Sequence, residues 1–248
     1  MPPAHRISIF PDDASVAREL ASRVVHAIRK KPALVLGLPT GRTPLLLYAE
    51  LVGRAAEGRV DFSEVTTFNL DEFFGIPPSH PGSYRSFMQR HLFDLVDVDS
   101  SRVHFLDGSA DDPVAEGCRY EKAIEQSGGI DLQILGIGSN GHIGFNEPGT
   151  SLEARTHLVT LKSETRRSNA ALFGGTADAV PSQALSMGMA TILGARSIVL
   201  VATGERKAAC VEQLVSGSIT TQLPASFLQL HIDVEIMLDE AAASRLTL

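Results

Sequence analysis

Short apolar runs of strand length and longer amphipathic runs of helix length take turns along almost the whole chain. RISIF precedes a helical pattern over residues 14–30, ALVLGL precedes one that starts at Pro44, and VTTFNL is followed by a helical SYRSFMQRHLF. VHFL, a helix over 113–126 and DLQILGIG continue the series. A helix over 181–193, the strand SIVLVAT, a helix over 205–215 and the strand DVEIML complete it. Strands that are apolar on both faces, each separated from the next by a helix, cannot leave one face of their sheet to water. The pattern predicts an α/β fold: a doubly wound, mostly parallel, Rossmann-like sheet with helices on both faces. No stretch reads as a linker, so one domain over residues 1–248 is expected.

One segment interrupts the alternation. KSETRRSNAALFGGTADAV, residues 162–180, is polar and carries the Gly174–Gly175 pair, and it reads as a lid beside the ligand-binding edge.

In an open parallel sheet, ligands sit beyond the carboxyl ends of the strands, so the residues after each apolar run are the candidates for function. PTGRTP follows ALVLGL and offers Thr40, Gly41, Arg42 and Thr43, with Thr43 suited to cap a helix and Pro44 to its first position. Hydroxyls, a glycine and a helix start together make a phosphate cradle without the lysine spacing of a P-loop. After VTTFNL, the adjacent carboxylates Asp71 and Glu72 stand against Phe73 and Phe74, neighbours that would desolvate a carboxylate and strengthen it as a base toward a C–H bond. After SIVLVA, TGERKAAC places Lys207 in the first turn of a helix, where the dipole disfavours a cation, so that it either snorkels to solvent or meets an anion placed there.

GIGSNGHIGFNEPG, residues 136–149, has Gly136, Gly138 and Gly141 at the spacing of a dinucleotide-binding turn. Such a turn needs a helix to begin at its last glycine, whereas Gly141 is followed by His142, Gly144, Asn146 and Pro148, which cannot sustain one. The run is therefore expected to be an extended, glycine-supported loop that carries His142 as a proton shuttle and Glu147 as its orienting carboxylate.

Composition narrows the classes. A formal charge of −7, no tryptophan and only 6% aromatic residues argue against nucleic-acid binding. Cys118 and Cys210 have no metal-ligand spacing and make no disulfide framework, so both are expected to be buried small hydrophobes of a reducing compartment. MPPAHRISIF lacks a signal-peptide pattern, and no apolar run approaches the roughly 20 residues of a membrane span, which predicts a cytoplasmic protein without membrane contact.

Taken together and in this order, PTGRTP, FNLDEFFG, HPGSYRSFM, GIGSNGHIGFNEPG and GERK resemble the glucosamine-6-phosphate deaminases, isomerizing enzymes related to the 6-phosphogluconolactonases. The similarity runs over residues 33–237. It implies an enzyme of amino sugar catabolism, monomeric or homo-oligomeric, that converts glucosamine 6-phosphate and water to fructose 6-phosphate and ammonia with neither metal nor organic cofactor. By resemblance, His142 moves a proton between the anomeric hydroxyl and the ring oxygen with Glu147 orienting it, and Asp71 carries a proton from carbon 2 to carbon 1. Thr40, Gly41, Thr43 and Lys207 hold the phosphate, and Glu72 and Gly136 stand among the substrate-binding positions.

Three departures from the family pattern bear on these roles. Asn140 stands where many members have an aspartate, so it can orient His142 only by hydrogen bonding. Ala171 replaces a lid arginine, while Arg42 occupies a usually small position, from which it either supplies the missing phosphate charge or points to solvent. In allosteric members, a basic segment just beyond the catalytic loop binds N-acetylglucosamine 6-phosphate; here it keeps Arg155 but has His157 and Val159. The competing readings are a lactonase or other sugar-phosphate isomerase on the same fold, and a non-catalytic sugar-phosphate sensor, which would have little use for Asp71, His142 and Glu147 together.

Overall fold

In the computed structural model, which describes residues 6–247, the alternation folds as β1 (Arg6–Phe10), α1 (Asp13–Lys30), β2 (Val35–Leu38), α2 (Leu45–Ala56), β3 (Thr66–Asn69), β4 (Asp71–Phe73), α3 (Tyr84–His91), β5 (Val103–His104) and α4 (Pro113–Gln126). It continues as β6 (Leu132–Gly136), β7 (His157–Thr160), α5 (Ser163–Asn169), β8 (Gln183–Ser186), α6 (Met189–Leu193), β9 (Ser197–Ala202), α7 (Ala208–Ser216) and β10 (Val234–Asp239). Residues 1–5, within the stretch screened for a signal peptide, lie outside the described residues.

Helix starts follow local chemistry. The Asp12 carboxylate accepts the Ser15 amide at 2.7 Å to open α1, and Asp112 accepts Val114 N at 2.8 Å with Pro113 in the first helical position of α4. Seven parallel strands in the order β1-β10-β9-β6-β2-β3-β5 form the central sheet. One apolar core joins it to α1, α2 and α3; the other joins it to α4, α6, α7 and the 3₁₀ segment Pro224–Leu230. The doubly wound sheet expected from the alternation is thus present, with helices on both faces.

A second, antiparallel sheet of β4, β8 and β7 was not legible in the apolar pattern. It corrects the helix expected over 181–193: β8 pairs with both β4 and β7, and only Met189–Leu193 is helical. Gly188 marks the change, because a Cβ there would lie 2.3 Å from the Arg155 carbonyl oxygen of the neighbouring chain segment. The start of α2 differs as well. A turn in which Leu45 N donates to Arg42 O at 3.2 Å precedes the helix, so Pro44 is the cap and the Thr43 side chain makes no capping hydrogen bond. Cys118, expected to be buried, is exposed on α4, whereas Cys210 is buried as expected. Among the described residues, no helix is long and apolar enough to cross a membrane.

Candidate active site

β2 and β6 are neighbours, and from them the chain builds outward in opposite directions along the sheet. Such a switch point opens a crevice at the carboxyl ends of the strands. The candidate residues lie at the ends of β2, β3, β6 and β9, in the turns that follow them, and in β4.

β4 gives Asp71 and Glu72 separate surroundings, because adjacent residues of a strand point to opposite faces. Glu72 Oε1 accepts the amides of Phe73 and Tyr84, each at 2.8 Å, and Oε2 accepts Arg85 N at 2.9 Å. Both oxygens therefore fasten the start of α3, and this expected substrate-binding residue acts as a brace. Burial pushes its carboxyl up to about 7, against the pull of those three donors. Asp71 is also buried, yet its Oδ1 has no hydrogen-bond partner among the described residues. Burial, and then the Glu72 charge, push Asp71 up to about 8, with the Thr40 hydroxyl acting in the opposite direction. Its carboxylate is a strong base with a free lone pair.

The glycine-rich run is folded back on itself rather than extended. Gly138 N donates to His142 O at 2.9 Å and Gly141 N to Gly138 O at 3.0 Å, with Gly141 in the left-handed region at φ +82°. The ring of His142 packs onto Gly138, where a Cβ would meet it at 2.1 Å. Ile143 is buried in one core and Phe145 in the other, which pins the loop between the two faces. A Cβ on Gly144 would lie 3.6 Å from Asp71 Oδ2, so the loop runs directly past the base.

Asn140 Oδ1 accepts the backbone N–H of His142 at 3.2 Å and lies 2.7 Å from His142 Nδ1. An oxygen already accepting from one N–H places the imidazole proton on Nδ1 and leaves Nε2 with its lone pair. Burial, with the Lys207 charge second, lowers His142 to about 4, so the ring is neutral at physiological pH. The orienting role expected of Glu147 does not match its contacts. Its carboxylate accepts Lys162 N at 3.2 Å and the Thr165 hydroxyl, joining the glycine-rich loop to the start of α5.

Gly41 takes φ +104°, and nothing lies within 4 Å of where a Cβ would stand, so backbone conformation, not space, calls for glycine there. Thr40 and Thr43 are half-buried in the same turn, Gly136 ends β6, and Lys207 closes a 3₁₀ turn, Glu205–Lys207, just before α7. Burial lowers the Lys207 ammonium, and the Arg42 guanidinium adds to the effect, so the two cations share one region although the Arg42 residue is exposed. Ala171 lies in the 3₁₀ turn Ala170–Phe173 and brings no charge. The segment 162–180 packs Phe173 and Val180 into a core, and Tyr84 Oη donates to Asn169 Oδ1 at 3.0 Å beneath it. Tyr84, Thr165 and Asn169 join these contacts; in the sequence only their places point to them, Tyr84 in HPGSYRSFM and the other two in the segment 162–180. Among the described residues, no group of three or more histidine, cysteine, aspartate or glutamate side chains could hold a metal ion.

A buried base, a neutral imidazole and two cations at one crevice suit proton transfers on a phosphorylated carbon acid. Comparison with known proteins agrees. The family described as glucosamine-6-phosphate isomerases/6-phosphogluconolactonase matches residues 11–236. A glucosamine-6-phosphate deaminase of Rhodopirellula baltica is 52% identical over 97% of this chain and 95% of its own length. A solved structure described as a monomeric glucosamine-6-phosphate deaminase superposes with a TM-score of 0.93 at 42% identity, covering 96% of this chain and 99% of that one. A 6-phosphogluconolactonase from Trypanosoma cruzi has a TM-score of 0.78 at 21% identity, over 100% of this chain and 99% of that one, and so shares the fold alone.

Proposed function

The chain belongs to the glucosamine-6-phosphate isomerase/6-phosphogluconolactonase family, and we propose that within it the protein is a glucosamine-6-phosphate deaminase, converting glucosamine 6-phosphate and water to fructose 6-phosphate and ammonia. The observation that carries this reading is Asp71: a buried carboxylate raised to about 8, with one oxygen unpartnered, against the loop of a neutral histidine. Removing a proton from carbon 2 of an amino sugar demands such a base. Hydrolysis of a lactone does not.

The turn of Thr40, Gly41 and Thr43 holds the phosphate, with Lys207 and Arg42 supplying charge. His142 Nε2 takes the proton of the anomeric hydroxyl and returns it to the ring oxygen, which opens the ring, while Asn140 holds the opposite nitrogen. Asp71 then removes the carbon 2 proton while the carbon 1 oxygen takes one from the ammonium group on carbon 2, giving an enolamine, and Asp71 delivers its proton to carbon 1. The resulting carbon 2 iminium adds water and expels ammonia, leaving the ketone. Glu147 serves this sequence by fastening the lid, residues 162–180, to the catalytic loop. We place the reaction in amino sugar breakdown in the cytoplasm. Similarity to a deaminase described as monomeric supports a single chain as the working unit.

A coupled assay that follows ammonia and fructose 6-phosphate together tests the activity. Formation of both from glucosamine 6-phosphate is expected. Neither product, or hydrolysis of 6-phosphogluconolactone in their place, would refute the assignment.

A further inference from the structure

Lys207, a half-buried cation of the proposed phosphate site, hangs from a turn that is held from outside. The turn begins at Gly204, whose φ of +87° and ψ of 147° are open to glycine alone. Nothing lies within 4 Å of a Cβ built there, so the requirement is conformational. The Gly204 amide points away from the turn and donates to Asp239, the last residue of β10, at 3.0 Å to Oδ1 and 2.9 Å to Oδ2. Asp239 Oδ1 also accepts Ala242 N at 2.7 Å. Asp239 is 7% exposed, and the hydrogen-bond partners of its carboxylate among the described residues are these backbone amides.

From Gly204 the connection continues to the site. Gly204 O accepts Lys207 N at 3.0 Å, which closes the turn, and Lys207 O accepts the Cys210 thiol at 3.2 Å. The same thiol lies 3.4 Å from Gly138 O, on the catalytic loop. A carboxylate at the end of one strand thus fixes the loop that leaves the neighbouring strand, and with it the direction in which the Lys207 side chain starts.

We propose that Asp239 is a positioning residue of the phosphate site: by gripping the Gly204 amide it holds the strained turn that aims Lys207 at the substrate phosphate. The proposal rests on the deaminase reading of Lys207. It assigns Asp239 an effect on phosphate affinity that a brace for β10 alone would not have.

The test compares Asp239→Ala, Asp239→Asn, Gly204→Ala and Lys207→Ala by steady-state kinetics with glucosamine 6-phosphate, by competitive inhibition with inorganic phosphate, and by thermal melting. Misplacing a binding group by about 1 Å can cost up to about a hundredfold, so Asp239→Ala is expected to raise both KM and the phosphate inhibition constant by about ten- to a hundredfold, with kcat changed far less. Asp239→Asn, whose amide oxygen can still accept Gly204 N, should recover part of that loss. Gly204→Ala, which cannot hold φ near +87°, should reproduce it with the carboxylate intact. Adding Asp239→Ala to Lys207→Ala should change phosphate inhibition no further, because both act on one contact. Should Asp239→Ala fail to fold, the Asn and Gly204 variants carry the same comparison. Parental KM and phosphate inhibition with only a lowered melting temperature would overturn the proposal. An unchanged inhibition constant in Lys207→Ala would overturn the phosphate reading itself, and the proposal with it.

Discussion

Replacing Asp71 by asparagine should abolish deamination and make the protein more stable. The residue is buried, and burial is the main reason its carboxyl rises from 3.8 to about 8. Below pH 3.8 the folded and unfolded chains both carry the proton, and the site costs nothing. Between 3.8 and about 8 the unfolded chain has lost its proton while the folded chain keeps it, so stability falls as pH rises; above 8 the full cost remains. At about 1.36 kcal/mol per pH unit, the difference at pH 7 reaches about 4 kcal/mol. Asparagine keeps the shape and cannot ionise.

Part of that gain is offset, because the position of Oδ1 has no partner to offer an amide either. If about half survives, a chain of this size gains roughly 4–8 °C in melting temperature near pH 7. Thermal unfolding of parent and variant from pH 4 to 8 measures it, with the gain expected to vanish toward pH 4. Solvent deuterium exchange at carbon 2 of glucosamine 6-phosphate measures the other half, and the variant should not exchange. A variant no more stable than the parent at pH 7, or a gain equal at all pH values, would refute the argument from burial. Exchange at the parental rate would refute Asp71 as the base.

In the parent, kcat/KM should rise with pH toward about 8 as Asp71 ionises in the free enzyme, and a profile flat from pH 6 to 9 would contradict this. Asn140→Asp puts a carboxylate beside His142 Nδ1 and should raise the ring from about 4 by about one unit or more, seen by NMR titration of the imidazole. Arg42→Ala removes a charge-assisted contact worth about 1.5–3 kcal/mol, so KM for the phosphorylated sugar should rise by more than about tenfold with turnover little changed; an unchanged KM returns Arg42 to solvent. N-acetylglucosamine 6-phosphate should not activate the enzyme and substrate kinetics should be hyperbolic. Arg155 is engaged with Glu121 at 3.2 Å, His157 Nδ1 lies 2.9 Å from Arg155 O, and Val159 has no donor to give a phosphate. A sigmoidal curve made hyperbolic by that ligand would show a working regulatory site.

The legible parts of this molecule are those in which neighbours in sequence decide the outcome. Parallel strands buried on both faces need continuous apolar runs, and the helices between them carry their own caps, so the seven-stranded sheet is visible in the chain alone. Asp71, His142 and Lys207 stand out because their chemistry fits poorly at a strand end unless it serves a ligand. The second sheet is decided elsewhere. Asp71 pairs with Ser186 and Phe73 with Ala184, partners more than a hundred positions away, and QALSMGMATIL contains residues that favour a helix until those partners claim its first half. The contact of Glu147 with Lys162 and Thr165 likewise depends on where the segment 162–180 packs.

The missed strand has a consequence for the chemistry. Read as a loop, the Asp71–Glu72 pair is two equivalent acids sharing one environment. Paired in β4, the two side chains point to opposite faces: one meets the amides that open α3, and the other meets no donor at Oδ1 and the edge of the catalytic loop. Alternation along three residues therefore divides the labour between two adjacent carboxylates, a brace and a base. The base keeps a raised affinity for protons because it is buried, and the charge of its neighbour adds to the effect.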